Sequence, residues 1–343
     1  MPDIQLRFHH DMLVLSAPID ATLARQGVDA TRDLQYLNLM EPDVVQDALK
    51  LELVAGAQCL VTTTEDITRA RLAHVRMDGD AAKLAQAALD LANELKPQHV
   101  LAEIGPCGLP LDAASKDSLN ENRAQYADAA RAFGEGAFDA FFLNGFTSIS
   151  DLKCALMGVA QVSGKPVFAS VTIGEGGGTL PEETIARPAA RSDAAADGGV
   201  SFGTLVPVEE TAPPPLPEAR RKVMDAQVWP EAIAAMEEFG ASVVGFETVD
   251  DIDHAIAYAQ AAVEATPLPL LAQLRVKTGA GTSKIDALTP LDDIRAYTPG
   301  TMERAAVKLF GAGAQFLRAT GAATPAFTGA LAATVQGLDV NRG

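Results

Sequence analysis

Cationic residues are scarce in this chain. Lysine and arginine number 27 against 45 aspartates and glutamates, a formal charge of -18 at pH 7. A surface of that sign repels phosphate backbones and anionic headgroups, so neither nucleic acid nor a membrane is expected as a partner. Long apolar runs are missing too, none approaching the roughly 18 to 20 residues that cross a bilayer. The opening MPDIQLRFHHD lacks a basic segment followed by an apolar one, so the chain reads as soluble and cytoplasmic. Cysteine is limited to Cys59, Cys107 and Cys154, an odd count with no short spacing, which makes neither a disulfide framework nor a CxxC pair. Cys59 opens an apolar run and Cys154 lies in a helical pattern, as suits small buried hydrophobes. Of the histidines His9, His10, His74, His99 and His254, none falls at an expected strand end with a carboxylate or cysteine at metal-binding spacing. Nor is there a nucleophile elbow or an ordered Ser, His, Asp set.

What the chain does contain is a repeat. The stretches LVAGAQCLV (53–61), GEGAFDAFFL (134–143), EFGASVVGF (238–246) and LFGAGAQFL (309–317) share one form. Each reads as a helix closing on glycine, then alanine and a short strand. The glycines, Gly56, Gly136, Gly240 and Gly313, are separated by 80, 104 and 73 residues. One strand and helix with their loops take about 40 residues, so each gap has room for one further unit. Proline-led apolar runs fill those places: PQHVLAEIG from Pro97, PVFASVTIG from Pro166 and PLPLLAQL from Pro267. DMLVLSAPID (11–20) completes eight strands. Helical patterns alternate with them at about 41–55, 80–96, 120–135, 149–163, 229–239, 250–265, 300–312 and 324–336.

Near-continuous apolar strands, each followed by an amphipathic helix, describe a parallel sheet covered by helices. Eight such units predict an α/β fold, a (β/α)8 TIM barrel in a single domain over 1–343. A doubly wound open sheet is the alternative, but no GxGxxG follows the first strand. The longest gap places an irregular insertion at 182–222, after the fifth strand and on the face where barrel active sites lie. It reads equally as an active-site lid or as a surface arm for oligomer contact.

Barrel chemistry sits at the C-terminal ends of the strands. Those ends carry Ser16 and Asp20; Thr62, Thr63, Thr64, Glu65 and Asp66; Glu103 and Cys107; Asn144; Thr172 and Glu175; Glu247 and Thr248; Gln273, Arg275 and Lys277; Arg318 and Thr320. About half should face a ligand. The run IGEGGGTL (173–180) offers either an anion-binding nest or simply a tight bend. Arg275, Lys277 and Arg318 either receive a carboxylate or phosphate, or neutralise Glu247 and Glu175. Cys107 is the single thiol at the mouth, a nucleophile or soft ligand only if a base lies near it.

These residues resemble the homocysteine S-methyltransferase family, the zinc-dependent (β/α)8 barrels that include betaine-homocysteine methyltransferase and the N-terminal module of cobalamin-dependent methionine synthase. The similarity runs in order through LNLMEPDVVQDALKLELVAGAQCLVTTTEDITRARL (37–72), EIGPCG, DAFFLNGFTSISDLKCAL, VTIGEGGGTL, ASVVGFET and GAATPAFTGAL. The family's zinc is bound by one cysteine in Gly-x-Asn-Cys after the sixth strand and two in Gly-Gly-Cys-Cys-Gly after the eighth. Here Thr248 stands at the first position, and RATGA (318–322) covers the second without a cysteine. A catalytic zinc needs at least three thiolate, imidazole or carboxylate ligands, so no metal is expected. The family's acids that hold the homocysteine amino group are matched by Ser16 and Ala17, Val61, and Asn144, with Thr63 at an asparagine position. After the seventh strand, LRVKTGAG (274–281) brings in cations.

The resemblance implies a methyltransferase-like barrel without zinc, acting on a small molecule other than homocysteine. A corrinoid protein is a candidate partner, because a reduced corrinoid is already a strong nucleophile and needs no metal to activate it. Thr248, Glu247, Asn144 and Arg318 would orient the methyl donor. The alternative is a catalytically silent paralogue that binds a small anion or a partner protein, and homo-oligomerisation is left open. A third reading is an unrelated barrel enzyme using Cys107, or Glu103 and Glu247, for acid-base work.

Overall fold

The structure is a computed structural model that describes residues 3–28, 34–181, 220–277 and 297–336. Its strands are β1 (Leu13–Val14), β2 (Cys59–Val61), β3 (His99–Ile104), β4 (Ala140–Phe146), β5 (Val167–Gly174), β6 (Gly178–Pro181), β7 (Arg220–Asp225), β8 (Val243–Thr248), β9 (Leu270–Val276) and β10 (Phe316–Gly321). Eight of them pair in the order β1-β10-β9-β8-β5-β4-β3-β2, parallel throughout. A Leu15–Cys59 bridge joins the two ends, supported by Ser16 N donating to Cys59 O and Gln58 N to Val14 O, each at 2.9 Å. The sheet thus comes round to a nearly closed eight-stranded barrel, as the alternation of elements predicts.

Helices Pro42–Ala55, Ala81–Glu94, Lys116–Phe133, Ile149–Ala160, Trp229–Glu238, Ile252–Ala265, Pro299–Gly311 and Pro325–Val335 cover the outside, each close to its expected place. Lys116–Phe133 starts earlier than its apolar period suggests because Ser115 caps it, accepting from the Ser118 amide. Short helices at Asp20–Arg25, Leu34–Met40 and Arg69–Ala73 are too brief to leave a period in the sequence. One closure also shifts. The helix ends on Gly134 (φ 51°) rather than Gly136, where a Cβ would lie 2.8 Å from the Phe133 carbonyl oxygen and 2.4 Å from Leu89 Cδ1, so a larger residue would force the backbone to shift.

The irregular segment read at 182–222 is corrected only at its end, where residues 220–222 are strand. β6 and β7 form an antiparallel ribbon, and β7 extends β5 through Ile173–Met224 and Gly174–Asp225. Arg220 to Lys222 are therefore strand, and 182–219 lies outside the described residues. Inside the barrel, Leu13, Leu101, Phe142, Phe168, Val243, Leu271 and Phe316 form the lower core, closed beneath by Ile4 and Phe8. The Phe168 and Phe316 rings meet edge-on at 4.8 Å, and Phe8 packs on Phe316 at 5.8 Å. No helix among the described residues is long and apolar enough to cross a membrane.

Candidate functional site

Inward positions recur at every second residue of a barrel strand, and here they change from apolar to polar toward the strands' C-terminal ends. Phe168 is followed by Ser170 and Thr172, Leu271 by Gln273 and Arg275, Phe316 by Arg318 and Thr320, Phe142 by Asn144, and Leu101 by Glu103. Register then decides which of these meet. Arg318 lies opposite Gln273, Thr320 opposite Arg275, and Glu247 between Thr172 and Gln273. A register shift between Leu143 and Phe146, at a Gly145 whose φ is 78°, bends β4 just beyond Asn144.

Four side chains close a hydrogen-bonded ring across the bore. Asn144 Nδ2 donates to Glu103 Oε1 (2.8 Å), and Gln273 Nε2 donates to Asn144 Oδ1 (2.9 Å) and Ser170 Oγ (2.8 Å). Arg318 Nη1 completes it, donating to Gln273 Oε1 and Glu103 Oε1 at 3.3 Å each. Arg318 Nε donates to the Ser16 carbonyl (2.9 Å), and the guanidinium lies 5.2 Å from the centroid of the Phe142 ring. Arg318 is 2% exposed and Glu103 7%. Such burial is tolerable for a guanidinium only with this degree of pairing. Burial raises the Glu103 carboxyl to about 7, Arg318 opposing the shift and Glu65 adding to it.

One inward position further along, Glu247 gathers three donors. Arg275 Nη1 (3.1 Å) and Thr320 Oγ1 (2.7 Å) reach its Oε1, and Thr172 Oγ1 reaches its Oε2 (3.0 Å). Arg275 and Arg318 are thus both paired with acids, the neutralising role. Their partners are Glu247 and Glu103, whereas Glu175 lies beside His254 Nε2 at 3.4 Å. The glycine run is a bend rather than a nest, since the Glu175 amide is held by Asp250 Oδ2 (2.9 Å) and the Gly177 amide by the Gly174 carbonyl (3.1 Å).

The remaining candidates divide by location. Asp20 has a buried Oδ1 with no hydrogen-bond partner among the described residues. Burial raises its carboxyl against the Ala21 amide, with the Glu65 charge adding and Arg275 opposing. Thr62 and Thr64 tie β2 to β3: their hydroxyls meet at 2.6 Å, Thr62 accepts from Glu103 N and Thr64 donates to Glu103 O. Thr63 donates to Asn38 Oδ1 (2.6 Å).

Ser16 and Thr62 spend their hydroxyls on the Val61 and Glu103 amides within the wall, and two further candidates, Thr248 and Cys107, turn to the outer core. Thr248 lies in register with Ile173 and Leu274, which belong to the core beneath the helices, and its hydroxyl accepts from Asp250 N (3.1 Å). Cys107 packs in that same outer core, its Sγ donating to Asn122 Oδ1 (3.0 Å) and its amide to the Tyr126 hydroxyl, which donates to Asp151 (2.7 Å). Burial raises its thiol, the opposite of what a nucleophile needs. All three cysteines are buried. Native protein should therefore leave an aromatic disulfide thiol reagent nearly untouched, while the denatured chain releases three equivalents; one fast-reacting native thiol would contradict this packing.

Sequence reasoning missed Glu52. It sits on the buried stripe Val45, Ala48, Leu49, Glu52 of its helix, where a lone acid among apolar spacings is a readable signal. Its Oε2 accepts from the Ala17 amide (2.9 Å) and the Thr328 hydroxyl. That amide belongs to the same peptide group whose carbonyl holds Arg318. Burial raises the Glu52 carboxyl to about 7, against the Thr328 and Ala17 hydrogen bonds and the Arg318 charge.

The positions matching the zinc thiolates do not fit a zinc ion. Thr248 faces the helices, Thr320 is committed to Glu247, and the Arg318 guanidinium occupies the bore where it would repel a divalent cation. Among the described residues no three histidine, cysteine, aspartate or glutamate side chains converge as a metal site.

Comparison with known proteins agrees with this architecture. The chain aligns with three crystal structures of the homocysteine methyltransferase MmuM from Escherichia coli, each covering 94% of this chain and 96% of that one. The oxidized form gives 15% identity and a TM-score of 0.66, the metallated form 14% and 0.64, and the apo form 13% and 0.60. At such identities the likeness establishes the fold alone. No curated protein sequence matches the chain. The description "Homocysteine S-methyltransferase" belongs to the family profile that matches residues 14–206, more than half of the chain. With that match and the eight-stranded barrel around it, the chain belongs to the homocysteine S-methyltransferase family.

Proposed function

We propose that this barrel transfers a methyl group without zinc, using a small substrate other than homocysteine, with a corrinoid carried by a cytoplasmic partner protein as the acceptor. The observation that carries the reading is the Glu103–Asn144–Gln273–Arg318 ring, which fills the bore beside the positions that match the family's metal-binding cysteines. Zinc serves to turn an acceptor thiol into a thiolate, and an acceptor that is already a strong nucleophile needs no such help. Glu247, Asn144 and Arg318 would orient the donor, while Thr248 drops out because it faces the helices. Isothermal titration of the full chain with zinc chloride and homocysteine, separately and together, should show no binding tighter than millimolar. Tight, mutually dependent binding of both would overturn the reading.

A second reading has its own support. The ring satisfies nearly all of its own polar atoms, as a purely structural plug would. A silent paralogue holding an anion or a partner protein would look the same. Genes for corrinoid proteins and their activators beside this one favour transfer, whereas a neighbouring zinc-ligated paralogue favours the silent role.

A further inference from the structure

We propose that Glu103 is the general acid of this site, delivering a proton from its Oε2 to the heteroatom that a methyl group leaves. The inference rests on the methyl-transfer reading and names the substrate class: a neutral S-, O- or N-methyl compound rather than an onium ion. Its basis is the unequal use of the two carboxyl oxygens. Oε1 accepts from Asn144 Nδ2 at 2.8 Å and Arg318 Nη1 at 3.3 Å, whereas Oε2 takes no hydrogen bond from any described residue. With both Oε1 acceptor positions filled, the neutral form carries its proton on Oε2. Phe142 packs under the Arg318 guanidinium, and Glu103, next to last in β3, keeps 7% of its surface exposed.

The charged surroundings suit an acid that works near neutrality. Arg318 on β10 and Glu65 after β2 act directly on Glu103, burial being the larger influence and raising it to about 7. Asp20 after β1 and the Glu247–Arg275 pair on β8 and β9 line the mouth, Glu52 lies behind the β1 wall, and His99 and Asp139 sit at the far end of β3. In the step itself, the acceptor's electron pair forms the new bond to the methyl carbon and the carbon–heteroatom bond breaks. Its pair stays on the heteroatom, which takes the Oε2 proton. Glu103 is left as a carboxylate stabilised by Asn144 and Arg318, and water restores its proton. An onium donor already leaves as a neutral group and needs no acid.

The test uses two readouts on the full chain. Infrared difference spectra between pH 5 and pH 9 should show a protonated-carboxyl band lost near pH 7. Because Glu52 titrates in the same range, the band is assigned by its partial loss in Glu103→Gln and its partial survival in Glu52→Gln. Methyl transfer to cob(I)alamin is then followed with dimethyl sulfide and with trimethylsulfonium, a pair differing by one methyl group and its charge. For dimethyl sulfide, kcat/KM should fall about tenfold per pH unit above pH 7, and Glu103→Gln should lose about 100-fold or more. With trimethylsulfonium the profile should show no tenfold-per-unit fall above pH 7, and the Glu103→Gln loss should be at least about tenfold smaller than with dimethyl sulfide. Asn144→Leu, which removes a donor that favours the carboxylate, should move the band and the rate profile to higher pH together, and it serves if Glu103→Gln does not fold. A flat dimethyl sulfide profile, equal losses with both donors, or a band untouched by Glu103→Gln overturns the assignment. Absence of turnover with both donors while the band is present refutes the methyl-transfer reading, and the catalytic role with it.

Discussion

Arg318→Met should destabilise the protein by about 3–5 kcal/mol, the usual effect of stranding one partner of a buried ion pair. Methionine matches much of the stem's volume, so the loss would come from the charge and its hydrogen bonds rather than from a cavity. Glu103, Gln273 and the Ser16 carbonyl would each lose a donor in a bore that is almost closed to water. Arg318 also holds the Glu103 carboxyl below where burial alone would put it. Without the guanidinium Glu103 would hold its proton to higher pH, so the variant's deficit should be larger at pH 8 than at pH 5. Pairing the change with Glu103→Gln should recover at least about 1–2 kcal/mol in urea unfolding. Additive losses in that double variant would mean the two side chains do not interact energetically, and the ring would not be a unit.

Glu52→Gln should remove a pH dependence. A carboxyl raised from the ordinary 4.5 to about 7 binds its proton more tightly in the folded than in the unfolded chain. Its contribution to stability is fully present below pH 4.5 and is lost as pH rises through 7. Across that window the difference amounts to about 3 kcal/mol. Glutamine is neutral throughout, so the variant escapes the loss. Relative to wild type it should gain about 2.5 kcal/mol in urea unfolding between pH 5 and pH 8. Parallel stability curves for the two proteins would show that Glu52 is not forced to ionise inside the fold. Because the Ser16–Ala17 peptide links Glu52 to Arg318, the titration is also felt at the bore.

Thr248 and Cys107, which turn to the outer core, show what a strand end does and does not reveal. Thr248 lies at the right height along the barrel axis but one residue out of phase with Glu247, and parity decides whether a side chain meets the bore or the helices. Cys107 lies beyond the end of β3, where the Tyr126 and Asn122 contacts of helix Lys116–Phe133 turn it outward. A loop residue's direction follows from what packs on it, and that is not encoded in its neighbours along the chain.

By itself the sequence determined the eight alternating units, most helix boundaries and the absence of thiolates at the family's metal positions. Those properties are local: periodicity, glycine closures and residue identity are set within a few turns of chain. Only the tertiary structure decided that Glu103, Asn144, Gln273 and Arg318, spread over more than 200 residues, join in one ring. The same holds for Glu52 reaching through the β1 wall to the peptide that holds the arginine. Which inward side chains meet depends on strand register and on closure of the sheet, and those are fixed by packing between segments distant in sequence.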